Sequence, residues 1–484
     1  MRKPMQENAI HAIEHIYIDG AFVRPHGVER LSLVDPTTEA VTGDVRLADE
    51  EDARRAVAAA KKALPAYSRT SKAERIAILT RLHDAVAAHT DRLDAAMIEE
   101  YGSPVARSKW CASLAAASFE EAAATLERYE LKRRIRGSEV EMMPLGVVAA
   151  ITPWNSNYGF ICTKVSAAIA AGCTVVVKPS ELSARQTQLL TECFDEAGVP
   201  RGVINIVTGR GDVVGDALTA HPDVAKISFT GSTAVGKTIL RRAAETLKRV
   251  TLELGGKSPT LILDDAELAE AIPTALSVGF TNNGQACIAG TRILVHESRL
   301  ADAIQRIQTA ITDVKVGDPR DPATTLGPLV TKKQWERVQR YIRLGVEEGA
   351  TLVTGGEGRP AGLAAGYFVK PTVFVGRNDM AIAREEIFGP VLTVIPYRSD
   401  EEAIQIANDT VYGLHAYVIS PNLDRARNVA SRLEAGRVAV NGFHHEPLAP
   451  FGGFKQSGIG REYGVAGLEA HLEPRTLLGL HAAA

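Results

Sequence analysis

From residue 145 onward the chain alternates short β-branched runs with helical stretches, and this pattern restricts its possible folds more than any other feature. The runs are "LGVVAAIT", "TVVVKP", "VINIVTG", "KISFTG", "VTLELGG" and "PTLILDD". Each is too short for a helix and is bounded by turn-forming residues, so each reads as a strand. Strands that alternate with helices build a mainly parallel, doubly wound α/β sheet. A second α/β series follows Asp265, with strands at "TRILVHE", "YFVKPTVFV", "PVLTVIPY", "AYVIS" and "GRVAVNG" and helices near 299 to 314, 332 to 349 and 422 to 434. Residues 50 to 130 carry apolar positions at helical spacing, as in "EEDARRAVAAAKKAL". The prediction is two α/β lobes with a cleft between them.

The 484 residues suffice for several domains and a large core. With 55 Lys+Arg against 58 Asp+Glu there is no global basic field for nucleic acid, and 45% hydrophobic residues argue against disorder. The N-terminal "MRKPMQENAIHAIEHIYIDG" has no apolar block able to act as a secretory core, so export is not expected. The uncharged stretch Met142 to Thr163 is long enough to span a membrane, but Pro144, Pro153, Asn155, Ser156 and Asn157 interrupt it, and it reads as a buried strand and loop. Five cysteines, 111, 162, 173, 193 and 287, show no C-x-x-C spacing; reduced thiols in a cytoplasm are expected, with no metal site.

In an open parallel sheet, ligands bind beyond the carboxyl ends of the strands. Here those ends carry Pro153, Trp154 and Asn155, then Lys178, Ser180 and Glu181, then Thr230, Gly231 and Ser232, then Glu253. "GSTAVGKT", Gly231 to Thr238, satisfies the phosphate-loop expression, and Asp264 and Asp265 could imitate a magnesium-binding strand end, so a nucleoside triphosphatase is a genuine competitor. The same loop can hold a dinucleotide pyrophosphate. Gly209, Gly211 and Gly215 miss the dinucleotide fingerprint by one residue and read as a plain strand-to-helix turn. Cys287, in the small-residue loop "NNGQACIAGTR", is the one thiol that looks presented for attack, although a structural loop cysteine is the plainer reading of that position alone.

Taken together and in order, "ITPWN", "KPSE", "FTGSTAVG", "LELGGKSP", "GQACIAGTR", "EEIFGPV" and "PFGGFKQSGIGRE" resemble the aldehyde dehydrogenase superfamily. "VGDP", "LGPL" and "NDTVYGL" extend the likeness over essentially the whole chain. The resemblance implies two Rossmann-like lobes, one dinucleotide-binding (1–121 and 145–255) and one catalytic (256–465), with a small bridging oligomerisation element (122–144 and 466–484). It implies a homodimer or homotetramer.

By the same resemblance Cys287 is the nucleophile, Glu253 the general base and Asn155 an oxyanion donor. The thiolate adds to an aldehyde, the thiohemiacetal loses hydride to the nicotinamide, and Glu253 assists hydrolysis of the resulting thioester to a carboxylic acid. A catalytically silent NAD-binding sensor on the same fold is the other alternative. The implied cofactor residues are Ile151, Thr152, Pro153, Trp154, Lys178, Ser180, Glu181, Phe229, Gly231, Ser232, Val235, Leu254, Gly255, Glu386 and Phe388. Glu181 beside the adenosine ribose favours NAD, with NADP possible. The sequence departs from many relatives at Ser156 and Asn157, which follow Asn155 where an aromatic residue and a proline are common. Tyr158, Phe160, Ile288, Phe443, His444 and His445 are candidate substrate-tunnel residues. The two histidines suit a polar or acidic tail, although a surface loop is their plainer reading. Trp110 and Trp335 read as packing residues.

Overall fold

The structure is a computed structural model and describes residues 11–480; the expectations that touch residues 1–10 and 481–484 lie outside it. Five of the sequence-predicted runs form the parallel centre of an eight-stranded sheet: Val147–Ile151, Thr174–Lys178, Ile204–Ile206, Val224–Thr230 and Arg249–Glu253. Numbered in chain order these lie 5-4-1-2-3 across the sheet, so the strand order reverses between Val147–Ile151 and Val224–Thr230. That reversal is the topological switch point at which doubly wound sheets bind ligands. Alternate residues of a strand face opposite sides. Val148 and Ala150 therefore pack with the helices Lys72–Ala88, Val105–Arg128 and Asn157–Ala171, whereas Val147, Ala149 and Ile151 pack against Glu50–Tyr67. Both layers start on firm caps. Asp49 with Asp52 and Ser71 with Glu74 form reciprocal capping boxes that satisfy the first free N–H groups of two of these helices.

The second sheet has seven strands in the order Thr351–Thr354, Thr372–Val375, Val391–Tyr397, Arg292–His296, Pro259–Ile262, His415–Ile419 and Arg437–Val440. All pair in parallel except the first with the second. The chain leaves the carboxyl end of Arg249–Glu253 and after five residues enters the amino end of Pro259–Ile262. The short link sets the carboxyl edge of one sheet against the amino edge of the other, and the cleft lies there. Near its end the chain returns, and Gly458–Ile459 pairs antiparallel with Arg249–Glu253, joining the late segment to the first sheet.

The two segments expected to bridge subunits pair with each other. Leu472–Leu477 runs antiparallel to Ser138–Pro144, which pairs with Lys132–Ile135. The excursion begins later than the sequence suggested, because the helix Val105–Arg128 runs unbroken through residue 122. Among the described residues no helix is long and apolar enough to cross a membrane.

Candidate active site

Two cavities lie on either side of residues 153 to 155, just beyond the switch-point strand Val147–Ile151. The first is lined by Asn155, Cys287 and Ile288 from beneath, by Arg107, Trp110, Leu114 and Ser118 from the helix Val105–Arg128, and by Phe443, His444 and His445 from the loop before "PFGG". The second, a cleft of about 1280 Å³ open to solvent, is lined by Ile151, Thr152, Pro153, Lys178, Ser180, Phe229, Gly231 and Val235, each of them predicted from sequence.

Cys287 sits half-buried in the first cavity, whereas the other four cysteines are buried. Its loop is held by side chains, not by regular structure. Asn282 and Asn283 adopt left-handed backbone at φ 53° and 59°, a region that asparagine tolerates and most residues avoid. Asn283 donates to Gly102 O and accepts from Gly327 N–H, while Gln285 donates to Tyr101 Oη and accepts from Val330 N–H. Asn155 is tied to the same loop from the opposite side. Its Nδ2 donates to Gln285 O at 2.8 Å, and its own carbonyl accepts from Asn282 Nδ2 at 2.8 Å. A side-chain amide is thereby fixed beside the thiol. Gly256 lies against the Cys287 carbonyl so closely that a methyl group there would overlap it, which explains the glycine pair after "LEL".

Burial pushes the Cys287 thiol up to about 12, and the carboxyls of Glu386 and Glu253 add to the shift. Glu253 ends its strand buried, and neither of its oxygens has a hydrogen-bond partner. Burial first and Glu462 second raise it well above the usual carboxylate range, against the pull of Lys164, Arg461 and Arg437. Glu462 is itself paired with the fully buried Lys164, which also donates to Ser228 Oγ at 3.1 Å. Glu386 accepts the Gly256 N–H at 3.0 Å and is raised by burial.

The second cleft fits a dinucleotide. Thr152 and Thr230 line it, and their hydroxyls have no hydrogen-bond partner among the described residues, so each has a donor and an acceptor to offer. Gly231 and Ser232 precede the twelve-residue helix Thr233–Ala244, with Ser232 Oγ accepting the Val235 N–H as its cap, and helix N-termini of this kind favour phosphate. Lys178 is buried and pairs with Glu181 at 2.9 Å. Trp154 lies between Tyr101 and Phe388, with ring centroids 5.8 and 5.5 Å away. Leu254 packs on Gly236 and Gly255 on Glu386, so these two shape the wall between the lobes rather than line the open cleft.

Several expectations change. The Lys237 amine is occupied by Gln456 Oε1 at 2.8 Å, and Asp264 and Asp265 lie beyond a strand of the other sheet, paired with Arg425. The phosphate-loop match therefore has no metal-binding acid beside it, and a nucleoside triphosphatase is not what this loop builds. Tyr158 is not a tunnel residue: it is fully buried and donates to Ser108 O at 3.3 Å. Asn157 likewise turns inward to Thr187. Trp110 packs against the core as expected and also lines the first cavity, whereas Trp335 packs and donates to Phe368 O. Gly211 and Gly215, read as a plain turn, line the second cleft together with Thr219 and Arg242. Phe160, Ile288, Phe443, His444 and His445 do line the first cavity.

The chain matches the model of the aldehyde dehydrogenase family over residues 22–477. It is 46% identical to a 3-succinoylsemialdehyde-pyridine dehydrogenase of a Pseudomonas species, covering 96% of this chain and 98% of that one. A cysteine-to-alanine mutant of aldehyde dehydrogenase C from Pseudomonas syringae, solved with NAD+ and octanal, superposes with a TM-score of 0.97 at 43% identity, covering 99% of this chain and 100% of that one. The NAD+ complex of an aldehyde dehydrogenase from Bacillus cereus gives a TM-score of 0.93 at 39% identity, over 99% and 98% of the two chains.

Proposed function

Because the chain belongs to the aldehyde dehydrogenase family and is an NAD-dependent aldehyde-oxidising enzyme, we propose that Cys287, Asn155 and Glu253 convert an aldehyde to its carboxylic acid at the junction of the two cavities. The supporting observation is that junction itself: a half-buried thiol, an amide locked beside it, and an unpartnered buried carboxyl, all next to a cleft shaped for a dinucleotide.

Cys287 gives up its thiol proton to solvent and attacks the carbonyl carbon as the thiolate, and the Asn155 amide with the Cys287 N–H receives the oxygen as it gains charge. NAD, held in the second cleft, would supply the hydride acceptor that lets the adduct on Cys287 collapse to a thioester. Glu253 then takes a proton from the water that cleaves the thioester. A carboxyl with a raised pKa is a stronger base than an ordinary one, and its burial provides that. The complete set of groups speaks against a silent sensor.

Ile151, Thr152, Pro153, Trp154, Lys178, Ser180, Phe229, Gly231, Ser232 and Val235 would hold the cofactor, with Leu254, Gly255, Glu386 and Phe388 at its nicotinamide end. Glu181 would favour NAD by repelling a 2′-phosphate. This assigns cofactor binding to residues 1–121 and 145–255 and chemistry to 256–465. A homodimer or homotetramer is supported by the edge strand Lys132–Ile135, exposed along its length, since an unpaired edge invites a partner. Five unpaired thiols support a cytoplasmic setting.

The test is rapid-mixing kinetics of NADH formation. Cys287→Ala should abolish oxidation while NAD still binds, and Glu253→Gln should give one rapid turnover per site and then stall. Sustained turnover by either variant would refute the assignment.

A further inference from the structure

We infer that this enzyme selects aldehydes bearing a carboxylate at the end remote from the reacting carbon, with Arg107 as the residue that recognises it; the inference rests on the aldehyde-oxidising function proposed above. Arg107 lies in the first turn of the helix Val105–Arg128 and lines the cavity that contains Cys287 and Asn155. Its guanidinium stacks 4.1 Å from the centroid of the Trp110 ring, which Phe443 and His445 meet edge-on at 6.0 and 5.6 Å. Stacking fixes the plane of the guanidinium and leaves its edge free to donate. Among the described residues nothing pairs with that edge. The Nε is buried without a hydrogen-bond partner, and Arg107 makes no ion pair among the described residues.

The other charged groups lining the cavity do not supply what is missing. Arg437 commits its Nε to the carbonyl of Pro450 and its Nη2 to those of Glu446 and Ala449, and it stacks on Phe451 and Tyr463. Glu462 is neutralised by Lys164. Glu121 lies 121 − 107 = 14 residues further along the same helix, or about 21 Å at 1.5 Å per residue, too far to pair with Arg107. A planar fork held by an aromatic face, with a desolvated and unused N–H, matches the two oxygens of a carboxylate better than an aliphatic chain end. Trp110 and Phe443 would cover the apolar part of such a substrate.

The test compares kcat/KM for 4-oxobutanoate against butanal and for 5-oxopentanoate against pentanal, in the wild type, Arg107→Lys and Arg107→Met. The wild type should favour the carboxylate member of at least one pair by roughly tenfold or more, as a charge-assisted hydrogen bond allows. Arg107→Met should collapse that ratio at least tenfold, mainly through KM, and Arg107→Lys should retain part of it. Turnover of the neutral aldehydes with no preference for the acid, or a ratio that survives Arg107→Met, would overturn the role of Arg107 and leave the oxidation intact. Absence of turnover with all four aldehydes would overturn both.

Discussion

Gly452→Ala tests whether the position of the Glu253 carboxyl, and not merely its presence, sets the rate of acid release. Gly452 lies in "PFGG" at φ 154°, and a methyl group there would stand 2.7 Å from Glu253 Oε1, 2.8 Å from Gly460 O and 2.8 Å from Arg461 Cδ. Ordinary contact begins at 3.4 Å, so the carboxyl or the loop must retreat by 3.4 − 2.7 = 0.7 Å. Displacement of a reacting group by about 1 Å costs on the order of 100-fold in rate. The strained backbone should also cost about 1–3 kcal/mol of stability. Only the hydrolytic half of the reaction uses Glu253 in the proposed scheme, so the loss should be confined to it. In rapid mixing, Gly452→Ala should keep a burst of NADH near one per site while kcat falls by about 30- to 100-fold. Glu253→Gln should show the same burst with a loss of about 10² to 10⁴, the usual worth of a general base. A wild-type kcat in Gly452→Ala would refute the placement argument. Loss of the burst in a protein that still binds NADH would refute the assignment of Glu253 to the second half-reaction.

Two further outcomes follow from the titration and the unfilled donors. With its thiol pushed up to about 12, Cys287 is protonated at neutral pH, so alkylation by iodoacetamide without cofactor should speed up about tenfold per pH unit from pH 7 to 10; a plateau below pH 9 would show a lower pKa. Thr230→Val removes a hydroxyl that has no partner among the described residues, so melting should change little while the Kd for NADH rises by about 2- to 12-fold, one hydrogen bond's worth, and unchanged affinity would remove Thr230 from the cofactor site.

What could be read from the sequence, and what could not, divides along a physical line. Strand runs and the residues just beyond them are local: Lys178, Thr230 and Glu253 close their strands, and Asn155 follows shortly after Ile151. The near-fingerprint at Gly209 to Gly215 carries one residue too many, and the structure shows where that residue goes. Gly211–Gly215 forms a π-helical turn, which accommodates one more residue than an α turn and still brings Gly211 and Gly215 to the cleft. The cavity-lining role of Trp110, beyond its packing, is hidden for a different reason. The polar side of an amphipathic helix reads the same whether it faces solvent or a polar cavity, and Val105–Arg128 turns Arg107 and Trp110 toward the cavity. Tyr158 differs in the opposite sense, turning into the core, since proximity in sequence to Asn155 says nothing about which way a helical side chain turns. The contact of Gly452 with Glu253 spans 452 − 253 = 199 residues and exists only because the late segment returns to pair with the first sheet. A glycine needed by a carboxyl that distant leaves no local signature, so the residues that position Glu253 emerge only from the fold that brings them to it.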